Sequence, residues 1–196
     1  MLALDRSAAD LLFTDAHTHD QFAPDPVSDE QVAEIWDLVK WAPTSGNSSP
    51  GRLLLVRSAQ ARERLVAHMS KGNQAKTLAA PLTLVAAADI RFHELWPTVA
   101  PHRAEAAARL EDDPAARERL AILSATLQAA YFIIGIRAAG LAAGPMGGFD
   151  RAGVDAEFFA DGSWRSLVVI NVGAPAAGGR RERLPRLAFE DVARVV

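Results

Sequence analysis

Cysteine is absent from this sequence of 196 residues. Its absence excludes disulfide bonds, thiolate-ligated metal centres and a cysteine nucleophile. If the protein carries out redox chemistry, the electrons must therefore pass through a bound cofactor and not through thiols of the chain.

An excess of positive charge is also missing. The chain has 21 Lys and Arg residues against 24 Asp and Glu residues, for a formal net charge of −3. Without a global positive field, nucleic acid is not expected as a partner. A small anionic cofactor stays compatible with these totals, because a few local Arg side chains and backbone N–H groups can hold one phosphate at any net charge.

Several sequence patterns are lacking as well. Neither a Gly-x-Gly-x-x-Gly motif nor a phosphate-loop motif occurs, which disfavours the common nucleotide-binding folds. The N-terminal residues lack the apolar core of a signal peptide, so we expect a cytoplasmic protein. Without repeats or low-complexity tracts, the length suits one domain over residues 1–196, with a Gly-, Arg- and Pro-rich arm over about 174–196.

Only residues 120–136 form a long hydrophobic run. Ser124, Thr126 and Gln128 interrupt it, and charged residues flank it closely. The run falls short of a convincing membrane span. We predict a buried helix in a soluble core or in a dimer interface, with no membrane partner.

Capping signals predict two helices in the first third of the chain. Ser28 and Gln31 form a capping box that begins a helix, and Pro43 ends it. Ser58 is expected to cap a second helix, which residues 72–73, a Gly-Asn pair, interrupt.

The later elements are predicted from proline, glycine and apolar runs. Pro114 suits the first turn of a long helix with Gly140 at its C-terminal cap. The weak pattern before it predicts short helices over residues 92–113. A Gly-rich turn is expected at 144–150, a helix at 150–158, and strands at 53–56, 82–87 and 166–172.

His17 and His19 form a His-x-His pair that resembles the metal site of amidohydrolase barrels. Strand spacing would place both rings on one face. Such barrels need over about 200 residues and further His ligands from later strands. Here only His68, His93 and His102 remain, in helical or irregular contexts, so a metal site is not favoured.

Three polar segments are candidates for ligand binding. The loop over residues 44–49 could donate hydrogen bonds to a flat heteroaromatic ligand, although alone it is also a typical solvent-exposed turn. The Gly-rich residues 144–148 could let a ring approach the backbone. A basic cluster near the C-terminus could clamp a phosphate or could be a solvated tail: Arg180, Arg181, Arg183 and Arg186.

The order of these segments resembles the nitroreductase family over nearly the whole chain. The shared features are a polar N-terminal motif, a Pro-Thr-Ser-x-Asn-x-x-Pro loop after a helix, Gly-Asn, a long apolar helix, Gly-Pro-Met-x-Gly-Phe and a terminal Arg-Leu-Pro. Each piece alone is common, and the combination carries the resemblance. Residues 12–16, 40–45, 128–131 and 144–151 look most like the malonic semialdehyde reductase branch, which is associated with uracil degradation.

The resemblance implies an α+β sandwich with a central, mostly antiparallel sheet flanked by helices, in an intertwined homodimer. It also implies one FMN at each end of the subunit interface and NADH or NADPH as the hydride source. In such a dimer, the helix over residues 120–136 would bury apolar surface between subunits.

The same resemblance supplies candidate FMN contacts. Asn73 matches the residue near the flavin ring, and Arg181 with Arg183 match the basic pair near the phosphate. No catalytic side chain or metal ligand is implied. The full set of matching positions is His17, Thr18, His19, Pro43, Thr44, Ser45, Asn47, Asn73, Pro145, Met146, Gly147, Gly148, Arg181 and Arg183.

Two positions depart from the family pattern. His17 stands where the family usually has Arg, and imidazole lacks the permanent charge and donor fork of a guanidinium. We therefore expect phosphate binding that is weaker or depends on pH. Gly147 stands where many relatives have an acidic residue, so their nicotinamide contacts are not carried over.

The resemblance implies ping-pong hydride transfer, in which NAD(P)H and the acceptor use one pocket in turn. We expect a small aldehyde acid as acceptor, with malonic semialdehyde reduced to 3-hydroxypropanoate. Nitroaromatics or quinones are the alternative within the same enzyme class. A flavin-binding dimer with little turnover is the alternative from another class.

Overall fold

The structure, a computed structural model, describes residues 3–178 and 183–196. Within these residues, the strands form one antiparallel sheet in the spatial order β1-β2-β4-β3. The central strands β2 and β4 are nearly continuous apolar runs because both of their faces are covered. The strands are β1 (Gly51–Val56), β2 (Leu82–Asp89), β3 (Ala142–Met146) and β4 (Trp164–Gly173).

Helices cover both faces of this sheet. Their bounds are α1 (Arg6–Ala9), α2 (Asp29–Val39), α3 (Ala59–Ala67), α4 (Lys71–Ala79), α5 (Trp96–Val99), α6 (Ala104–Glu111), α7 (Pro114–Ala138), α8 (Arg151–Phe158) and α9 (Phe189–Val192). Strands and helices are thus combined around an antiparallel sheet, and the predicted α+β sandwich is confirmed.

Alternation along β2 divides the core into two layers. Leu84 and Ala86 belong to a buried cluster with side chains of α2 and α7. Val85 and Ala87 point to the opposite face and join a cluster with Leu65 of α3. The sheet is therefore packed between α2 and α7 on one side and α3 and α8 on the other.

Helix α7 is the longest element of the described chain. The Asp113 side chain accepts from the N–H of Ala116, and Gly140 has the positive φ of 74° that a glycine after a helix commonly adopts. By length and composition alone, α7 could cross a membrane. It packs instead against α2 and against every strand of the sheet, which confirms the predicted buried helix.

Two local predictions are wrong. The first concerns residues 72–73, which were predicted to interrupt the helix that begins after Ser58. That helix ends earlier, at Ala67, and residues 72–73 lie inside the next helix, α4. The break occurs where the N–H of Ser70 donates to the Gly148 carbonyl over 3.0 Å, a long-range contact with no local signal. Both predicted caps are confirmed: Ser28 with Gln31 begins α2, and Ser58 begins α3.

The predicted turn at residues 144–150 begins with the end of a strand. Gly144 and Pro145 pair with Asn171 and Ile170 of β4 as part of β3. Glycine and proline are poor strand formers, but an edge strand tolerates both. The edge position of β3 is therefore the physical reason for this error.

Residues 92–111 form the predicted series of short helices, and a buried arginine anchors them to α7. The Arg117 guanidinium donates to the Leu110 carbonyl over 3.1 Å and lies 3.3 Å from the Glu111 carboxylate. The same carboxylate is 2.5 Å from Nε2 of His93. This excursion is thus fixed to the core by charge-assisted hydrogen bonds.

Candidate functional site

A cavity of about 470 Å³ opens where the N-terminal segment, α4, the end of α7, β3 and the C-terminal arm meet. Its size is in the range of small-molecule and cofactor sites. The lining residues are Phe13, Ala16, His17, Thr18, His19, Asp20, Lys76, Arg137, Gly144, Pro145, Met146, Arg183, Leu184 and Arg186.

The N-terminal segment is held along the free edge of the sheet. The N–H of His19 donates to the Ala143 carbonyl over 3.1 Å. Gly144 makes this approach possible, because a Cβ at that position would overlap the carbonyl oxygen of His19. A bridge between Phe22 and Pro175 continues the contact. The sheet edge thus presents residues 16–20 to the cavity.

The C-terminal arm crosses this segment through Arg183. Its Nη2 donates to the carbonyls of Thr14 (2.6 Å) and Ala16 (3.0 Å) and lies 3.4 Å from Nε2 of His17. One guanidinium thereby brings together residues that are more than 160 positions apart in sequence. Arg183 and His17 share one side of the cavity.

Arg137 reaches the same cavity from the end of α7. Its Nη1 donates to the Leu12 carbonyl over 3.1 Å, whereas its Nε is buried and has no hydrogen-bond partner within the described part of the chain. Burial, and then the positive charge of Arg183, lower the pKa of Arg137 from its ordinary value. Two guanidinium groups near each other with an unused buried N–H favour an anion between them.

The charge of the cavity is strongly one-sided. Lys76, Arg137, Arg183 and Arg186 line it, whereas Asp20 is the one acidic residue among its described lining residues. The whole chain nevertheless has a net charge of −3. Positive charge is therefore concentrated at this site, as expected for a pocket that holds a phosphate or another small anion.

Polar residues below the cavity fix Met146. Thr77 Oγ1 and Asn171 Nδ2 lie 3.9 and 4.0 Å from its sulfur. The buried Asn171 side chain also donates to the Lys76 carbonyl over 3.2 Å and accepts from Thr83 Oγ1 over 2.9 Å. This network ties α4 to β3 and β4 beside Lys76.

Asn73 and Gly148 lie together just outside the lining. The Asn73 side-chain amide donates to the Gly148 carbonyl over 3.0 Å. Gly147 is exposed next to them. Lys76 follows Asn73 by three positions and so lies near it on α4, a spacing that could have indicated Lys76 from the sequence.

The polar loop over residues 43–49 lies elsewhere. The N–H of Ser45 donates to Ser124 Oγ over 3.3 Å, and Asn47 Nδ2 donates to the Val99 carbonyl over 2.6 Å. Ser124 precedes Arg137 by thirteen positions on α7, or roughly 20 Å along the helix axis. Pro43, Thr44, Ser45 and Asn47 are thus remote from the cavity of their own chain.

This loop has an unusual backbone that several bonds hold in place. Gly46, Asn47 and Ser49 have φ values of 62°, 54° and 43°, and such conformations cluster at ligand-binding sites. Gln128 Oε1 accepts from the N–H of Gly51 over 2.7 Å, and Arg52 Nη1 donates to the Ser49 carbonyl over 3.0 Å. Ser124 and Gln128 of α7 therefore accept hydrogen bonds from the backbone of this loop region.

Replacing Gln128 with methionine is expected to lower the free energy of unfolding by about 1 kcal/mol, because the half-buried N–H of Gly51 loses its acceptor at nearly constant side-chain volume. Urea denaturation of both proteins measures the difference. Thr126→Val is the control, since Thr126 Oγ1 donates to the Ile122 carbonyl on the exposed face of the same helix. Equal losses in the two variants would contradict the role of Gln128.

The structure thus brings together His17, Thr18, His19, Pro145, Met146 and Arg183, with Asn73 and Gly148 adjacent. Arg180 and Arg181 lie outside the described residues. Sequence reasoning missed Phe13, Asp20, Lys76 and Arg137, whereas Arg186 was named in the basic cluster. Arg137 gave no signal, because it ends an apolar helix 120 positions after His17.

The His-x-His pair has a local contact with its own backbone. Nδ1 of His19 lies 3.1 Å from the carbonyl oxygen of His17, so one ring nitrogen is directed at the backbone. Across residues 3–178 and 183–196, no three His, Asp or Glu side chains are grouped to hold a metal ion.

Comparisons with known proteins agree with this geometry. Residues 15–174 match the Nitroreductase family. The chain is similar to an NADH dehydrogenase/NAD(P)H nitroreductase of Streptomyces griseus subsp. griseus, with 52% identity over 191 residues that cover 97% of each chain. A protein of the same name from Streptomyces coelicolor is 51% identical over 195 residues, which cover 100% of this chain and 99% of the relative.

A solved structure shows the same fold. A nitroreductase from Exiguobacterium sibiricum in complex with FMN superimposes with a TM-score of 0.83 at 17% identity, over 100% of this chain and 99% of that chain. At this low identity, the similarity concerns the fold.

Proposed function

The chain belongs to the nitroreductase family, and we propose that it is an FMN-dependent NAD(P)H oxidoreductase that reduces malonic semialdehyde to 3-hydroxypropanoate. The enzyme class follows from the family. The identity of the acceptor does not follow from the family and is our proposal. Broad reduction of nitroaromatics or quinones is the alternative within the class.

The observation that carries the proposal is the cationic cavity. Arg137, Arg183 and His17 converge on one side of it, and the buried Nε of Arg137 has no partner among the described residues. A doubly charged phosphate monoester satisfies this donor set. The residues present therefore fit the phosphate end of FMN, with Arg137 supplying the guanidinium that position 17 lacks.

We assign the ring end of the cofactor to the other side of the cavity. Pro145 and Met146 offer an apolar surface there, and Lys76 adds a positive charge. The Lys76 ammonium forms no hydrogen bond or ion pair with any other described residue. Asn73, Gly147 and Gly148 are placed next to this side.

A homodimer completes the site. One face of α7 is apolar and exposed, with Leu123, Leu127 and Tyr131 at helical spacing and 60%, 43% and 43% exposed. The arm adds Leu187 and Phe189, which are 73% and 78% exposed. An exposed apolar surface of this kind marks an interface. Across it, Thr44, Ser45 and Asn47 of one subunit, with Pro43, meet the cavity of the other.

The chemistry rests on positioning and electrostatics. FMN, when bound, would supply hydride transfer from NADH or NADPH to the acceptor. Arg137 and Arg183 anchor the phosphate. Lys76 stabilises negative charge that develops in the cavity. Reduction of the aldehyde would also need one proton for its oxygen, which water would supply.

A single domain over residues 1–196, ending in an arm over about 174–196, and a cytoplasmic location complete the proposal. The packing of one face of α7 on the sheet and the proposed dimer contact of its exposed face together account for its apolar composition without a membrane.

The purified protein is expected to be yellow, and its flavin to bleach when NADH or NADPH is added without oxygen. Steady-state assays then compare malonic semialdehyde, nitrofurazone and menadione as acceptors. A higher kcat/KM for the aldehyde acid supports the proposed substrate, and a preference for nitrofurazone or menadione overturns it. Bound flavin that stays oxidised indicates a flavin-binding dimer with little turnover.

A further inference from the structure

Arg103 lies against the polar loop on the remote side of the molecule. A Cβ on Gly46 would come within 3.0 Å of the Arg103 guanidinium carbon, so the guanidinium covers this glycine directly. Asn47 Nδ2 donates to the Val99 carbonyl over 2.6 Å. The loop and the segment that carries Arg103 therefore form one surface.

The position of Arg103 is well defined. Its guanidinium carbon lies 6.0 Å from the ring centroid of Trp96, a cation–π distance. Trp96 is buried and contacts Phe92 edge-on, with ring centroids 5.6 Å apart. The backbone N–H of Arg103 donates to the Ala100 carbonyl over 2.9 Å. The charged group is thus supported from below by the core.

Among the described residues, the Arg103 guanidinium has no anionic partner. Arg103 is exposed, and it makes no side-chain hydrogen bond or ion pair with any residue that the structure describes. An open groove of about 500 Å³ adjoins it, where Arg103, His102 and Arg109 outnumber the single acid Glu105. A supported but unpaired arginine in a groove of this charge suits a carboxylate.

We propose that Arg103 binds the carboxylate of an acidic acceptor in the active site of the partner subunit. This inference rests on the proposed function, because the loop over residues 44–47 meets the cofactor of the opposite subunit only in the proposed homodimer. Arg103 touches that loop at Gly46, so it arrives at the same place. Its planar donor fork matches a carboxylate, which an aldehyde acid carries and a quinone lacks.

The test compares acceptors that differ only in the carboxylate. In Arg103→Gln, KM for malonic semialdehyde is expected to rise roughly 10- to 100-fold, the effect of one charge-assisted hydrogen-bond pair. KM for propanal and for menadione is expected to stay within about twofold. Arg103→Lys retains the charge without the fork and falls between the wild type and Arg103→Gln.

A binding measurement gives a readout that is independent of turnover. Oxidised holoenzyme is titrated with 3-hydroxypropanoate, and the flavin absorbance change reports the Kd. Arg103→Gln is expected to weaken this Kd by about tenfold or more, whereas FMN content stays at the wild-type value. Arg119→Gln, which removes an exposed charge from α7 outside that groove, is the matched control and leaves both readouts unchanged.

Distinct outcomes separate this inference from the function on which it rests. Unchanged KM and Kd for the acids, an equal rise for propanal and menadione, or loss of FMN in Arg103→Gln overturns the inference alone. If the wild type reduces nitro compounds better than aldehydes, the proposed substrate is wrong. The role of Arg103 is then tested by comparing KM for para-nitrobenzoate, which has a carboxylate, with KM for nitrobenzene, which lacks one. A wild type without reducible FMN overturns both.

Discussion

Replacing Arg137 with methionine is expected to weaken FMN binding by about 100-fold, the largest effect that one guanidinium–phosphate contact commonly carries. Arg137 is half-buried, its Nε is unpaired within the described chain, and Arg183 lies close enough to lower its pKa. A bound phosphate would accept a hydrogen bond from this Nε and would offset the repulsion between the two guanidinium groups. Titration of apoprotein with FMN, followed by flavin fluorescence, measures the change in Kd.

Riboflavin separates a phosphate contact from a general loss of structure. Riboflavin lacks the phosphate, so its affinity is expected to be the same in the wild type and in Arg137→Met. Arg119→Met, at an exposed position of the same helix, controls for the lost charge. A parallel decrease for FMN and riboflavin would show that Arg137 acts through Leu12 and the N-terminal segment instead.

This role of Arg137 changes the meaning of His17. The sequence alone suggests a weakened phosphate site, because histidine replaces the arginine usual in the family. In the folded chain, His17 lies beside Arg183 and shares its cavity with Arg137 and Arg186. Permanent positive charge is therefore supplied by residues from the last turn of α7 and from the C-terminal arm.

Signals that act within a few residues predicted much of the fold. The capping box at Ser28, the cap at Ser58 and the pair of Pro114 and Gly140 each mark a helix end through contacts within one turn. The apolar runs in β2 and β4 were equally readable, since strands covered on both faces need apolar side chains at every position.

The errors arise where distant contacts decide the local structure. The interruption between α3 and α4 is held by the Gly148 carbonyl, which accepts from Ser70 and Asn73. No neighbouring residue encodes that bond. Gly144 and Pro145 are typical turn residues, and only the pairing of β3 with β4 makes them a strand.

The candidate site shows the same division. Family motifs placed residues 17–19, 145–146 and Arg183 at one cavity, where the structure also has them. They gave no indication that residues 43–47 lie at the other end of α7. A sequence motif gives residue types and their order along the chain, but not their positions in the folded protein. The interruption of the apolar helix by Ser124 and Gln128 now has a physical reason: both side chains accept hydrogen bonds from the backbone of that loop region.

Adding one methyl group at Gly144 is expected to have the largest effect on stability. In Gly144→Ala the new Cβ overlaps the His19 carbonyl oxygen, which is backbone and cannot rotate away. Either β3 or the N-terminal segment must shift. We expect a loss of about 3 kcal/mol in the free energy of unfolding, the upper range for overpacking, measured by urea denaturation.

The same change tests how the site is assembled. The N–H of His19 donates to Ala143, so a shifted segment carries His17, Thr18 and His19 away from the cavity. FMN affinity is therefore expected to fall by about tenfold or more, as for the loss of one or two hydrogen bonds. Gly72→Ala is the matched control: its Cβ meets no atom within 4 Å, and in helix α4 alanine stabilises by about 0.5 to 1 kcal/mol. If Gly144→Ala keeps both the stability and the FMN affinity of the wild type, the segment is not held by close approach to β3, and the cavity must be organised chiefly by Arg183 and Arg137.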